Sequence, residues 1–182
     1  MDETTRQDAE HAAVHGAGGA VEAGLYREAM SRLVAAVHVV TTRGASGRAG
    51  FTATAVASVS DSPPTLLVCL NRRIHSAPAF RQAGVFAVNM LAGEQQAVAQ
   101  VFGGKGGGAG GMSGEERFAT GTWHEGRLGV PCLRDAIAAF ECRLVEVRTI
   151  ATHDVLVGRV EAVTLGADRA KLAYLGRSFL TV

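Results

Sequence analysis

One stretch of the sequence, Gly50-Phe51-Thr52-Ala53-Thr54-Ala55-Val56-Ala57-Ser58-Val59-Ser60, has the extended pattern of a β-strand but consists mainly of small side chains. Strands usually contain β-branched and aromatic residues, because these pack best on a pleated, half-buried surface. A flat ligand lying close to the backbone would fill the volume that the small residues leave, and hydroxyl and peptide groups would form hydrogen bonds to its edge. An edge strand or an interface strand is the alternative explanation of the same composition.

The composition of the 182-residue chain is that of one globular domain, with 47% hydrophobic and 19% charged residues. Its 18 basic and 17 acidic residues give a net charge of +1, and without a long basic run we expect no nucleic-acid partner. The three cysteines, Cys69, Cys132 and Cys142, form no C-x-x-C pair, which favours a reducing cytoplasm. No apolar run approaches the roughly 20 residues of a spanning helix, so we expect no membrane contact.

The chain divides, on composition, into a tail and one domain. Residues 1–24 contain little apolar surface and no signal-peptide pattern, which predicts a disordered N-terminal tail. The domain is predicted over residues 25–182, and it begins with a helix in which Tyr26, Met30 and Leu33 recur at helical spacing. Residues 103–111 include seven glycines, which predicts a mobile surface loop.

Extended patterns dominate the domain. Residues 37–42 and 49–60 predict a hairpin, and residues 65–70 form a continuously apolar run that is typical of a strand buried on both faces. Two short helices, 78–83 and 94–102, flank a strand at 85–91. Long strands are predicted at 138–150 and 155–165, and a strand plus a turn at 172–180. The alternation shifts at Val145 and Val147, which indicates either a bulge or a strand that passes from one sheet face to another. The pattern predicts a mainly β fold, either an antiparallel barrel or a sandwich.

Several kinds of chemistry have no support in the sequence. The six histidines are dispersed, without metal-ligand spacing, so we expect no metal site. There is no G-x-S-x-G motif for a nucleophilic serine. No G-x-G-x-x-G motif opens a helix after a strand, so a dinucleotide would not be bound in the Rossmann manner.

One polar grouping suits an anionic ligand. Asn71 and Arg72 follow the apolar strand, and Ser76 precedes a predicted helix start. The guanidinium fork of arginine and the free amides of a helix start both bind phosphate. A solvated basic turn is the alternative interpretation of this grouping.

A second polar grouping opens the strand at 155–165. His153 could donate a hydrogen bond to a ligand amide, with the carboxylate of Asp154 influencing its orientation or charge. A surface histidine is the alternative. Asn89 lies in an otherwise apolar strand, and either a backbone partner or a ligand would satisfy its amide.

In this order the motifs resemble the short-chain NAD(P)H:flavin oxidoreductases, the flavin-reductase-like split-barrel family. The resemblance covers residues 25–180 and rests on short segments, each weakly specific alone. These segments are Arg27-Glu28-Ala29-Met30, Val39-Val40-Thr41-Thr42, Gly50-Phe51-Thr52-Ala53, Pro63-Pro64-Thr65-Leu66-Leu67-Val68-Cys69-Leu70-Asn71-Arg72, Pro78-Ala79-Phe80, Val88-Asn89, Glu116-Arg117-Phe118, Thr152-His153-Asp154 and Arg177.

The resemblance implies a fold, cofactors and a partner. The expected fold is a six-stranded antiparallel Greek-key split β-barrel with short flanking helices, assembled as a homodimer. The expected reaction is reduction of FMN or FAD by NADH, or by NADPH. The reduced flavin would pass to a flavin-dependent monooxygenase or halogenase, as from the reductase component of a two-component system.

The resemblance also implies roles for individual residues. The segment Thr52, Ala53, Thr54 and Ala55 would border the isoalloxazine ring. The turn that contains Leu70, Asn71, Arg72 and Ser76 would hold the ribityl and phosphate groups, with Asn89 close by. His153, the candidate catalytic residue, would lie near the nicotinamide beside Asp154, and Arg177 would help to shape the same pocket.

Two other functions are compatible with these residues. One is a flavin-binding carrier or redox sensor without turnover on the same barrel. The other is an activity like that of pyridoxamine-phosphate oxidases, which use a related barrel.

Overall fold

The computed structural model describes residues 21–104 and 114–182. The chain divides into two units, residues 1–33 and residues 34–182. In the first unit, helix α1 spans Ala23–Ser31 and contains Tyr26 and Met30 of the predicted helix, whereas Leu33 lies beyond its end. The tail predicted over residues 1–24 and the loop predicted over 103–111 fall mainly outside the described residues.

In the second unit, strands predominate over helices, so the mainly β prediction is confirmed. Helix α2 spans Ala77–Ala83 and helix α3 spans Gln96–Gly103, with short 3-10 turns at Gly93–Gln95 and Glu116–Ala119. The strands are β1 Ala35–Ala36, β2 His38–Gly44, β3 Gly47–Ala53, β4 Val56–Asp61, β5 Pro64–Asn71, β6 Val85–Met90, β7 Trp123–Glu125, β8 Pro131–Leu133, β9 Ala138–Ile150, β10 His153–Leu165, β11 Leu172–Leu175 and β12 Ser178–Thr181.

Among the described residues, seven antiparallel strands form the main sheet, in the order β3-β2-β6-β9-β10-β5-β4. A three-stranded sheet, β1-β11-β12, and the β7-β8 pair complete the strands of this part of the chain. The predicted hairpin is confirmed, since β2 and β3 pair from His38↔Ala53 to Gly44↔Gly47. The predicted bulge is also confirmed, because the register shifts between Val157 and Gly158 and leaves Val145 without a cross-strand partner.

The main sheet has one strand more than the six expected, because the stretch of small residues is divided. β3 ends at Ala53 and β4 begins at Val56, so only Thr54 and Ala55 separate them. These two strands are nevertheless the opposite edges of the sheet. Three residue steps span at most about 11 Å, so the two edges approach each other at this break. No hydrogen-bonded ladder between β3 and β4 closes the sheet within the described residues.

The inner face of the main sheet holds the larger core cluster. It includes Val40, Phe51, Val68, Phe86 and Leu156, and Phe80 of α2 packs edge-on against Phe51 with ring centroids 5.2 Å apart. A second cluster lies under α3 and includes Val37, Val39, Val98, Phe102 and Phe118. Helix α2 packs against β2 and β6, whereas α3 packs against β3 and β2, next to the break in the stretch of small residues.

Strand β5 does not have both faces buried, so that expectation was wrong. Leu66, Val68 and Leu70 are buried, whereas Leu67 and Cys69 are half-buried. The reason is the position of β5 between β10 and the edge strand β4, where one face covers the core and the other lies partly open.

The end of the chain also differs from the expectation of a strand plus a turn. Residues 172–181 form the β11-β12 hairpin, whose turn places both Gly176 and Arg177 at positive φ, 58° and 65°. Helix α2 ends as predicted at Gly84, which has a left-handed φ of 67°. None of the helices in the described residues is long and apolar enough to cross a membrane.

Candidate functional site

The pairing of β5 with β10 brings two of the predicted groups together. His153 lies opposite Asn71, and Asp154 lies opposite Leu70. The backbone N–H of Arg72 donates to the carbonyl of Thr152, 3.0 Å away. The end of β5 and the start of β10 therefore form one continuous rim.

The break between β3 and β4 joins this rim. The carbonyl of Ala55 accepts a hydrogen bond from the backbone N–H of Cys69 at 3.0 Å, two residues before Asn71. Thr54 and Ala55 are exposed. Ser76, which precedes α2, is half-buried, and its hydroxyl lies 3.5 Å from the carbonyl of Gly50 in β3.

Two residues of the predicted ring-binding segment face the protein instead. The hydroxyl of Thr52 donates to the carbonyl of Ala99 in α3, 2.7 Å away, and Ala53 is buried in the core. This narrows the expectation that the segment Thr52 to Ala55 borders a ring, because strand alternation and the packing of α3 engage the side chains of the first two residues. Thr54 and Ala55 are the members of the segment that remain open.

Side chains alternate across the start of β10. Asp154 points to the buried side, and its side chain is only 2% exposed. His153 points to the other, half-open side, where its Nδ1 lies 2.9 Å from the hydroxyl of Thr152. The imidazole thus faces the same side of the sheet as Asn71, its cross-strand partner.

Asp154 is at the centre of an ion-pair cluster. Arg81 of α2 donates from Nε to Oδ2 at 2.9 Å and from Nη2 to Oδ1 at 2.6 Å, and the Thr149 hydroxyl donates to Oδ1 at 2.8 Å. The Nε of Arg72 lies 3.8 Å from Oδ1. The hydrogen bonds from Arg81 lower the pKa of Asp154, although burial acts in the opposite direction. The carboxylate is therefore held in its charged form by neighbouring side chains.

The structure also corrects the prediction that Asn89 lies close to a ligand. Its side chain is fully buried, its Nδ2 donates to the carbonyl of Val39 at 2.9 Å, and its Oδ1 accepts from the backbone N–H of Leu133 at 2.8 Å. A buried amide whose nitrogen and oxygen are both bonded to backbone does not contact a ligand. Asn89 instead ties β2 and β8 to β6.

Arg177 belongs to a different part of the fold. It lies in the turn of the β11-β12 hairpin, which is part of the three-stranded sheet. Strand pairing therefore does not bring Arg177 next to His153, unlike Asn71. A polar cavity of about 170 Å³, lined by Arg43, Arg48, Trp123, His124, Glu125 and Pro131, includes none of the predicted site residues.

Two residues that sequence reasoning did not single out belong to this region. Arg81 and Thr149 complete the Asp154 cluster, and neither lies in a local sequence motif.

His38, directly opposite Ala53, is 5% exposed, and burial lowers its pKa. Within the described residues, no group of three or more His, Cys, Asp and Glu side chains is placed to hold a metal ion.

The chain belongs to the family described as "Flavin reductase like domain", which matches residues 30–182. Among its relatives, the FMN reductase (NADH) RutF of Methylorubrum populi is 48% identical over 162 residues, covering 89% of this chain and 77% of that protein.

Solved structures agree with this family. BorF, the flavin reductase component of a bacterial two-component tryptophan halogenase, has a TM-score of 0.79 and 29% identity, covering 88% of this chain and 98% of that one. The NADH:FAD oxidoreductase SgcE6 of Streptomyces globisporus, solved with NAD and FAD fragments, has a TM-score of 0.80 and 25% identity, covering 93% of this chain and 96% of that one.

Proposed function

We propose that this protein is an NADH-dependent flavin reductase that reduces FMN or FAD and releases the reduced flavin to a flavin-dependent monooxygenase or halogenase. The observation that carries the proposal is the meeting of the β3-β4 break, the end of β5 and the start of β10 at one rim, in a member of the flavin-reductase family. The relatives' names support NADH as donor, FMN or FAD as acceptor, and a two-component system.

The residues at the rim suit a flavin. Thr54 and Ala55 are small and exposed, and leave space for a flat ring beside the backbone. The side chain of Arg72 is 52% exposed and offers a guanidinium for the phosphate, directly after Asn71 and four residues before Ser76 in the chain. The family is named for flavin reduction, and the flat ring and anionic phosphate of FMN match this combination of small residues and one half-exposed guanidinium.

The chain's own residues bind and orient, while the bound cofactors supply the redox chemistry, in which nicotinamide C4 gives a hydride to flavin N5. In this proposal His153 uses Nε2 to hold the nicotinamide amide, because its Nδ1 is already beside the Thr152 hydroxyl. Thr54 and Ala55 hold the ring by contact and backbone hydrogen bonds. No protein nucleophile takes part, since alignment of the two rings in a site shielded from water is sufficient.

The proposal includes a split barrel of six strands in the domain 25–182. If β3 and β4 are two halves of one bent strand, the sheet contains six strands, and that strand pairs with β2 through one half and with β5 through the other. The two-residue separation of β3 and β4 supports this view.

A homodimer is also part of the proposal. The half-buried face of β5 and β10 carries Leu67, Cys69, Val155 and Val157, and Ile150 beside it is 55% exposed. A second copy would cover this apolar face and shield the adjoining rim from water. Light scattering after size-exclusion chromatography measures the mass directly, and a monomer at micromolar concentration would contradict the dimer.

The primary assay follows absorbance at about 340 nm, the band of the reduced nicotinamide, for NADH and NADPH with FMN, FAD or no flavin. We expect turnover with NADH that requires added flavin and saturates with it. Flavin that co-purifies without turnover would instead support the carrier or sensor function. Absence of both binding and turnover would contradict the proposal.

Two variants test the division of roles. His153→Ala is expected to raise the KM for NADH by about tenfold and the KM for flavin less, through loss of one hydrogen bond near the reacting rings. Arg72→Ala is expected to raise chiefly the KM for FMN. His124→Ala, in β7 and outside the rim, is the control. An equal loss for both substrates in each variant would contradict this assignment.

A further inference from the structure

The Asp154 cluster contains two arginines but one carboxylate. Arg81 makes both of its hydrogen bonds to the carboxylate at 2.9 and 2.6 Å, whereas the nearest approach of Arg72 is 3.8 Å. The distance to Arg81 is that of a charge-assisted pair, and the distance to Arg72 is too long for a hydrogen bond.

Thr149 strengthens the asymmetry. Its hydroxyl accepts from Nη2 of Arg81 at 3.0 Å and donates to Oδ1 of Asp154 at 2.8 Å. Oδ1, the oxygen nearest Arg72, thus already accepts two hydrogen bonds, and Oδ2 accepts one. Because one positive charge neutralises Asp154, the charge of the three groups together is +1, and it resides on the half-exposed guanidinium of Arg72.

We propose that Arg81 is a positioning residue that neutralises Asp154 and, with Thr149, fills Oδ1, and thereby leaves Arg72 available for the phosphate of the flavin. This inference rests on the proposed flavin reductase function. It makes Arg81, whose hydrogen bonds go to Asp154 and Thr149, a determinant of the preference for FMN over riboflavin, a flavin without the phosphate.

The consequence of removing Arg81 follows from burial. Asp154 is 2% exposed, and a buried carboxylate without a cation is strongly unfavourable. Arg72 is the cation already beside it, and the backbone of Arg72 is fixed by its bond to Thr152, so a shift of its side chain by about 1 Å is enough to reach hydrogen-bond distance. In that position the guanidinium is paired with Asp154 and is lost to the phosphate.

The test compares the KM for FMN with the KM for riboflavin at saturating NADH, in the purified full-length protein. Arg81→Ala is expected to raise the KM for FMN about tenfold and to change the KM for riboflavin less than about twofold. Arg72→Ala is expected to change the KM for FMN and the KM for riboflavin in the same way. The double variant should be no worse than Arg72→Ala alone, because both changes remove the same contact.

A rescue variant distinguishes this mechanism from a general loss of structure. Asp154→Asn in the Arg81→Ala background removes the charge that would capture Arg72, so we expect the KM for FMN to return to within about threefold of the wild-type value. The control is Arg143→Ala. Arg143 shares Glu161 with Arg159 on β9 and β10, which repeats the arrangement of two arginines on one carboxylate outside the rim.

Circular dichroism and thermal unfolding establish that each variant is folded. Equal changes for FMN and riboflavin in Arg81→Ala, no change for either, or a failure of Asp154→Asn to restore FMN use would each overturn the role of Arg81. If the wild-type protein does not oxidise NADH with any of the flavins, the proposed function is overturned instead. In that case, titration of flavin fluorescence gives the same FMN-to-riboflavin comparison by binding alone, and unchanged ratios in Arg81→Ala would again overturn the inference.

Discussion

Replacing Gly158 with alanine tests how closely the core is packed behind the rim. Gly158 lies on β10, five residues after His153, at a buried position on the core-facing side of the strand. An added Cβ would lie 2.5 Å from Cζ of Phe86 and 2.9 Å from Cβ of Cys142, closer than real Cβ atoms approach their neighbours. Phe86 and Cys142 are both fully buried, so neither can move into solvent.

The expected cost is that of overpacking a rigid core, about 1–3 kcal/mol of unfolding free energy. Urea unfolding followed by circular dichroism measures it, with an unchanged m value if only stability is altered. Phe86→Leu removes the ring, so Gly158→Ala should cost less in that background than in the wild type. Gly24→Ala is the matched control, because a Cβ there meets nothing within 4 Å. Equal stability of Gly158→Ala and the wild type, or an undiminished cost beside Phe86→Leu, would refute the reasoning.

Three further predictions concern residues near the rim. Because burial lowers the pKa of His38, the unfolded chain gains a proton below about pH 6.5 that the folded chain excludes. The unfolding free energy should therefore fall from pH 7 towards pH 5, by up to about 1.4 kcal/mol per pH unit, and urea titrations of His38→Asn should lack this slope. Ala55→Leu should raise the flavin KM about tenfold in the NADH assay at unchanged melting temperature, whereas Ala57→Leu should not. Asn89→Ala should lower the unfolding free energy in urea by about 1–3 kcal/mol, with a flavin KM within about twofold of the wild type.

Hydrophobic periodicity and turn residues were sufficient to predict most of the helices and strands. The β2-β3 hairpin, the helix that ends at Gly84 and the bulge at Val145 all depend on interactions between residues close in sequence. The division of residues 50–60 into two strands could not be predicted in this way. It depends on β3 pairing with β2 and β4 pairing with β5, and these pairings involve opposite edges of the sheet.

For the same reason, only part of the candidate site could be predicted from the sequence. Asn71 ends β5 and His153 begins β10, close to the predicted strand ends, but the sequence analysis treated them as two separate groupings and did not predict that they pair. Asn89 was assigned to the site although its amide is consumed by backbone groups of β2 and β8, which are distant in sequence. Arg81 was overlooked because its carboxylate partner is 73 residues away.

The small residues of the stretch 50–60 have two separate causes. At Gly50 an added Cβ would lie 2.8 Å from the ring of Phe102, and Thr52 is bonded to the backbone of α3, so these positions are small because a helix packs closely on them. Thr54 and Ala55 have no such cover and are exposed. The space attributed to a ligand is therefore limited to the break between the strands. Enlarging Gly50 should reduce stability, whereas enlarging Ala55 should reduce flavin affinity, since only the second position opens onto the rim.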